Sequence, residues 1–268
     1  MGAIRTGISP CPNDVYIFSG LILGKFSTGE LSFEIEYEDI ETLNERSQRG
    51  EYDVVKISYA NYIRCQSHYT LMSTGGALGR GCGPLLLVNG EGFQEESEIL
   101  IPGRFTTANF LLDFYLQRAH PKSALSFEVL YERLLAEPNA QGVVIHEKRF
   151  TYERDGLTLV ADLGEHWEAK TGMPIPLGAI ALSRTLPIPE TMEGIVRQSL
   201  QWARENDAEA FELCKQYAQD LTPEVIRAHI DLYVNDFSYD VGEEGAKAVA
   251  FFLDAQRRFL GGKTTDNL

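Results

Sequence analysis

This chain is short of positive charge: 24 lysines and arginines stand against 39 aspartates and glutamates, for a formal net charge of −15. Such a surface repels phosphate backbones, which excludes nucleic acid as an expected partner. Any anionic substrate must then find a local cradle of backbone dipoles. Long hydrophobic runs are also missing. No apolar stretch approaches the roughly 20 residues that span a bilayer, so no membrane partner is expected. The opening MGAIRTGISPCPND shows no long apolar core with a small-residue cleavage site, and no secretory signal is read there. Cysteine is sparse: Cys11, Cys65, Cys82 and Cys214 are scattered without a C-x-x-C pair, which suits a reducing compartment and offers no zinc knuckle. The five histidines form no H-x-x-x-H or H-E-x-x-H pair, so no metal site is expected. A Gly-Lys-Ser/Thr phosphate loop and a Gly-x-Ser-x-Gly nucleophile elbow are both absent, which leaves nucleotide binding and hydrolase chemistry with little support. A cytoplasmic protein with an ordinary core is expected, since hydrophobic residues make up 44%.

What is present is a repeated strand–loop–helix rhythm. Residues 3–8 alternate into a strand, followed by Ser9-Pro10-Cys11-Pro12-Asn13-Asp14. The two prolines predict a stiff loop, with Asn13 or Asp14 capping a helix beyond it. Residues 31–37 alternate again, Asp39 precedes a helix over 40–48, and 54–57 form a third strand. A glycine-rich run from Thr74 to Gly83 leads into an apolar strand at 85–88. A second set of units then predicts strand 99–101, helix 107–117, strand 126–129 and a short helix at 131–135. Strands ending at His146 and spanning 158–162 follow, with a helix around 166–170 that stops at Thr171-Gly172. Residues 177–182 give a further strand, and from Glu190 onward the pattern is amphipathic helix, with a frayed tail over 261–268. This is an α/β protein. One domain is built from 1–88 and 179–268, and a second, 89–178, is inserted into it. Such a two-domain layout, with a ligand cleft between the domains, is that of type 2 periplasmic binding proteins.

The polar groups that chemistry needs sit where strands end. Val143-Val144-Ile145 read as a short buried strand, and His146 stands at its end with Glu147, Lys148 and Arg149 behind it. Ligands of open α/β sheets bind at the carboxyl ends of strands. A histidine there can accept a proton near neutral pH, the plainer role being a hydrogen bond to a neighbouring loop. Lys56-Ile57-Ser58 ends another strand and can face the same cleft. Pro102-Gly103-Arg104-Phe105-Thr106-Thr107-Ala108 joins a strand to a helix start, whose free N–H groups and dipole favour an anion. An ordinary N-cap by Thr106 is compatible with that role. Within the glycine run Arg80 is the cation of interest, a surface ion pair being its alternative; Asn13 and Asp14 are further cleft candidates. A triad of Ser58, His146 and Asp14 exists on paper only.

Taken in order, SPCPND, DIETLN, KISYANY, TGGALGRGCGP, PGRFTTA, IHEKRFTY, TGMPIPLGAI and YVNDFSYDVGEEG resemble the 1,4-dihydroxy-6-naphthoate synthases of the futalosine route to menaquinone. The resemblance runs over nearly the whole chain. It implies a fold like that of type 2 periplasmic binding proteins, used as a carbon–carbon lyase that needs no redox cofactor. The implied reaction converts cyclic dehypoxanthinyl futalosine, a small-molecule carboxylate, into 1,4-dihydroxy-6-naphthoate and dihydroxyacetone. The family's proton acceptor falls on His146, and its substrate contacts fall on Lys56, Ile57, Ser58, Thr107 and Ala108. Two rivals are chorismate dehydratase, against which the IHEKRFTY run weighs, and a non-catalytic small-anion binding protein, which predicts a signal peptide or lipobox.

Overall fold

Strand β1 (Ile4–Ile8) pairs in parallel with β2 (Phe33–Tyr37) on one side and β3 (Val54–Ser58) on the other. Parallel neighbours need crossovers, supplied by α1 (Pro12–Ile22) and α2 (Ile40–Ser47) in this computed structural model, which describes residues 2–218 and 220–261. Helix α2 starts as its sequence dictates: the Asp39 carboxylate accepts from the N–H groups of Glu41 and Thr42. Helix α1 does not wait for the prolines to pass. It begins at Pro12, because the first turn of a helix makes no use of the missing N–H. Asn13 and Asp14 therefore lie inside the first turn, buried, rather than capping it.

A short helix α3 (Tyr62–Cys65) and the strands β4 (Tyr69–Leu71) and β5 (Ala77–Gly79) come next. The second sheet contains β6 (Leu85–Val88), β7 (Ile99–Ile101), β8 (Lys122–Ala124), β9 (Gln141–Val144) and β10 (Thr158–Asp162), in the order β10-β6-β9-β7-β8. Helices α4 (Thr107–Leu116), α5 (Phe127–Ala136) and α6 (Leu163–Thr171) accompany it. The nine-residue β11 (Ile175–Ser183) then returns to the first sheet, antiparallel to β3, β4 and β5.

Sequence and structure part company in this half. Residues 126–129 open a helix instead of forming a strand: Leu130, Tyr131 and Leu134 are buried at helical spacing, and the strand lies earlier, at β8. Strand β9 stops at Val144, and His146–Phe150 form a 3₁₀ turn. Leu85–Val88, assigned above to the first domain, hydrogen-bonds β9 and β10 in the second sheet. We propose that the domains divide just before Leu85 and just before Ile175.

The remaining helices are α7 (Pro189–Glu205), α8 (Asp207–Tyr217), α9 (Pro223–Tyr233), α10 (Asp236–Tyr239) and α11 (Gly242–Leu260). The first three of these pack on α1. Helix α11 reaches the other sheet: Phe252 meets Phe110 of α4 edge-on at 4.9 Å and Trp167 of α6 at 5.4 Å. Among the described residues no helix is long and apolar enough to cross a membrane. The tail expected to fray lies, from residue 262, outside the described residues.

The chain leaves the first sheet for β6 through Gly83-Pro84, where a Cβ on Gly83 would land on the backbone of Gly164 at the start of α6. Backbone cannot swing aside as a side chain can. Gly83→Ala should destabilise the protein by about 1–3 kcal/mol, read as a lower midpoint in urea unfolding. An unchanged midpoint would mean that this crossing is looser than described.

Candidate active site

The strand ends of both sheets open onto one cleft between them, a favoured position for small-molecule sites. Its walls come from the β1–α1 loop, the end of β3, the start of α4, the end of β9, the middle of β11 and the inner face of α9. At Ile40, Ile145 and His146 it meets a wider outer hollow, rimmed by Asp39, Glu128, Glu132, Glu147 and Lys148.

The floor is a closed polar network. Alternation along β3 turns Lys56 and Ser58 to the cleft and sends Ile57 into the core, so the side chain of Ile57 is not on the wall. The Lys56 ammonium is 4% exposed and is paired with Asp14, which is 1% exposed. Its charge is therefore spent inside the protein. Asp14 also accepts from Ser9 Oγ at 2.7 Å and Asn13 Nδ2 at 2.8 Å. Ser58 Oγ accepts from Asn44 Nδ2 at 3.0 Å, which leaves its own hydroxyl hydrogen to offer. With Ser58 tied to Asn44, and Asp14 to Lys56, Ser9 and Asn13, no Ser–His–acid relay is assembled among the described residues.

The start of α4 behaves as an anion cradle with one half already filled. Glu41, from α2, accepts from Arg104 N at 2.5 Å and Phe105 N at 3.1 Å. Burial pushes its carboxyl up, against the N–H groups of Phe105 and Arg104 and the Asn44 amide, which pull it down. Thr106 caps its own helix by accepting from Asn109 N at 3.2 Å, and Thr107 Oγ1 donates to Leu177 O at 2.8 Å. The N–H groups of Thr107 and Ala108 have no acceptor among the described residues, and both residues line the cleft. These are the orphan donors of a helix N-terminus.

His146 is held in a left-handed backbone conformation, φ +55°, uncommon outside glycine. Its Nδ1 lies 3.2 Å from the Cys11 sulfur, and Phe127 closes on the ring edge-on at 5.2 Å. Burial, the largest influence, pulls its pKa down. The charge and hydrogen bond of the Cys11 sulfur, then Glu147 and Asp14, outweigh it together and bring the pKa to about 9. A second imidazole, His229, lies parallel to His146 at 6.3 Å with 9° between the planes. Burial, followed by the charges of His146 and Lys56, holds its pKa well below the ordinary histidine value.

Of the sequence candidates, His146, Lys56, Ser58, Thr107, Ala108, Asn13 and Asp14 are brought together. Arg80 is not: it is exposed, donates to Gly172 O and pairs with Glu244 at 2.9 Å, off the cleft wall. His229 and Glu41 carry no site signal in the sequence, and Cys11 is marked there only by its place between two prolines, which leaves its role open. Among the described residues no group of three or more His, Cys, Asp or Glu side chains could hold a metal ion.

A family profile described as menaquinone biosynthesis matches residues 4–258. The chain belongs to that family. It is 44% identical to a 1,4-dihydroxy-6-naphthoate synthase of Thermus thermophilus, over 97% of this chain and 96% of the relative. A synthase of the same name from Streptomyces coelicolor is 37% identical, over 93% and 91%. Among solved structures, a protein of Archaeoglobus fulgidus superposes with a TM-score of 0.91 at 32% identity, over 97% and 98%. The alkanesulfonate-binding protein of Xanthomonas axonopodis pv. citri shares the fold alone, with a TM-score of 0.70 at 15% identity, over 96% and 94%. The architecture is thus that of the periplasmic binding proteins, and this family member is an enzyme.

The Lys56–Asp14 pair is the part of the site most exposed to test. Removing one charge strands the other in a dry pocket, so Lys56→Met should lower stability by about 3–5 kcal/mol. Lys56→Met combined with Asp14→Leu should recover most of that loss in a denaturant titration. A single variant as stable as wild type would show the pair to be hydrated.

Proposed function

We propose that this chain is a cytoplasmic carbon–carbon lyase that converts cyclic dehypoxanthinyl futalosine into 1,4-dihydroxy-6-naphthoate and dihydroxyacetone. The observation that carries the reading is the juxtaposition, in one enclosed cleft, of an imidazole and a helix N-terminus with two unused N–H groups. The kinship with synthases named for that naphthoate supports it. The substrate carboxylate sits on the N–H groups of Thr107 and Ala108, where the helix dipole favours an anion. Glu41 occupies the adjacent N–H groups of the same loop, a resident example of a carboxylate held this way. Ser58 Oγ supplies a further donor, while Lys56 acts through Asp14 and the packing of the wall.

His146 is the base in this reading. Its neutral form takes a proton from the substrate, the carbon–carbon bond breaks as the new ring becomes aromatic, and the proton is returned to the departing three-carbon fragment. No water and no electrons are taken up, so the site has only to hold the molecule and relay a proton. General-base help contributes roughly 10²–10⁴-fold; orientation in the cleft contributes much of the rest. Cys11 sets both the ring's direction and its proton affinity.

Turnover followed by naphthoate absorbance tests the reading directly. Wild type should convert the cyclic futalosine, and His146→Ala should lose about 10²-fold or more in kcat while still binding naphthoate. Binding without conversion by wild type would leave a binding protein, and dehydration of chorismate would move the activity elsewhere in the pathway. A second expectation concerns pH. A base whose conjugate acid has a pKa of about 9 is mostly protonated at pH 7, so kcat/KM should rise with pH, reach half its plateau near pH 9 and level off above it. Cys11→Ala removes the largest upward push on His146, so the rising limb should move to lower pH. A limb that stays in place would separate Cys11 from the proton affinity of His146.

A further inference from the structure

His229 has no task in the reading above. It stands on α9, is 1% exposed and lines the cleft. Its tautomer follows from the bonds behind it. Asp14, facing the Lys56 ammonium, has only acceptor oxygens. The Asn13 group 2.8 Å from Asp14 Oδ1 is therefore the amide NH₂, which turns the Asn13 carbonyl toward His229 Nε2 at 2.9 Å. A carbonyl only accepts, so Nε2 carries the hydrogen. Burial and the charges of His146 and Lys56 keep the ring from taking a second proton. What is left at Nδ1 is a bare lone pair, buried, with no hydrogen-bond partner among the described residues.

We infer that His229 Nδ1 is the acceptor for a hydroxyl of the bound molecule, so that the cleft selects a hydroxylated carboxylate over its deoxy counterpart. The ring is pinned through Nε2 and leaves Nδ1 without a partner among the described residues, while the N–H groups of Thr107 and Ala108 and the Ser58 hydroxyl supply donors. The cleft thus reads the carboxylate end of a ligand with donors and its hydroxyl end with His229. This is a binding and specificity role, separate from proton transfer at His146, and it rests on the cleft being the substrate site as proposed above.

Two substitutions divide the ring's functions. His229→Gln can keep a donor where Nε2 sits and removes the acceptor; His229→Asn keeps an acceptor near Nδ1 and loses the donor to Asn13. An acceptor role means that H229Q binds 1,4-dihydroxy-6-naphthoate roughly 10- to 100-fold more weakly than wild type, with H229N affected less. A purely structural anchor for Asn13 gives the reverse order, which overturns the inference. Nitrogen-15 spectra of the full chain with labelled histidine address the same question without a variant. An Nδ1 signal free of hydrogen that shifts when naphthoate is added supports the acceptor, and a protonated Nδ1 in the free protein overturns it. If wild type binds naphthoate but does not convert the cyclic futalosine, the lyase reading fails while both measurements still decide the role of His229. A wild type that binds no naphthoate overturns both.

Discussion

The buried pair of Lys56 and Asp14 is the constraint on which the candidate site depends. An ammonium and a carboxylate at 4% and 1% exposure are tolerable only if every remaining lone pair and proton is matched. Ser9 and Asn13 do the matching at Asp14. Because a carboxylate paired with an ammonium has nothing to donate, the amide of Asn13 has one acceptable orientation, and the tautomer of His229 follows from it. One ion pair at the foot of the first sheet therefore fixes hydrogen positions across the cleft wall, up to helix α9.

Two imidazoles lie parallel in this cleft and are pushed in opposite directions. His146 meets a sulfur and two carboxylates, which raise it; His229 meets burial, a neighbouring imidazole and an ammonium, which lower it. Divergent proton affinities in adjacent groups are how one pocket separates a group that moves protons from one that only accepts hydrogen bonds. The lowered affinity of His229 and the raised affinity of His146 also reinforce each other, since a charge on the first would disfavour a charge on the second. Cys11 decides the balance, because it is the largest upward influence on His146.

Much of this architecture was legible in the residues, and the gaps have physical causes. Asp39 before a periodic helix is a local signal, and local signals survive folding: α2 begins where its cap stands. Pro12 misled because proline forbids a helix interior but not a first turn. The strand expected at 126–129 failed because Phe127 and Val129 suit a strand locally, whereas burial of Leu130, Tyr131 and Leu134 on one face is a tertiary fact. His146 could be found because it ends an apolar run. His229 could not, because a histidine inside an amphipathic helix looks like any other core residue until Asn13 is placed 2.9 Å away by the first turn of α1, more than two hundred positions earlier. Arg80 shows the opposite error: glycines around a cation suggest a ligand loop, yet the side chain is satisfied by Gly172 and Glu244 on the surface.

Under the proposed function an acidic protein binds an acidic molecule, and its own charge has to be kept from the ligand. With a net charge of −15, the simplest remedy is to place free cations in the cleft. The chain does the reverse at Lys56, whose charge is cancelled by Asp14, and Arg80 lies outside. The remaining attraction comes from backbone N–H groups at the start of α4, which carry only partial charge and need no counterion. Fixed dipoles favour an anion of the right shape without drawing in every anion nearby, and they take up no proton during the reaction. Glu41 fits the same logic. By filling the N–H groups of Arg104 and Phe105 it ties α2 of the first sheet to the cradle of the second, and it leaves the N–H groups of Thr107 and Ala108 open.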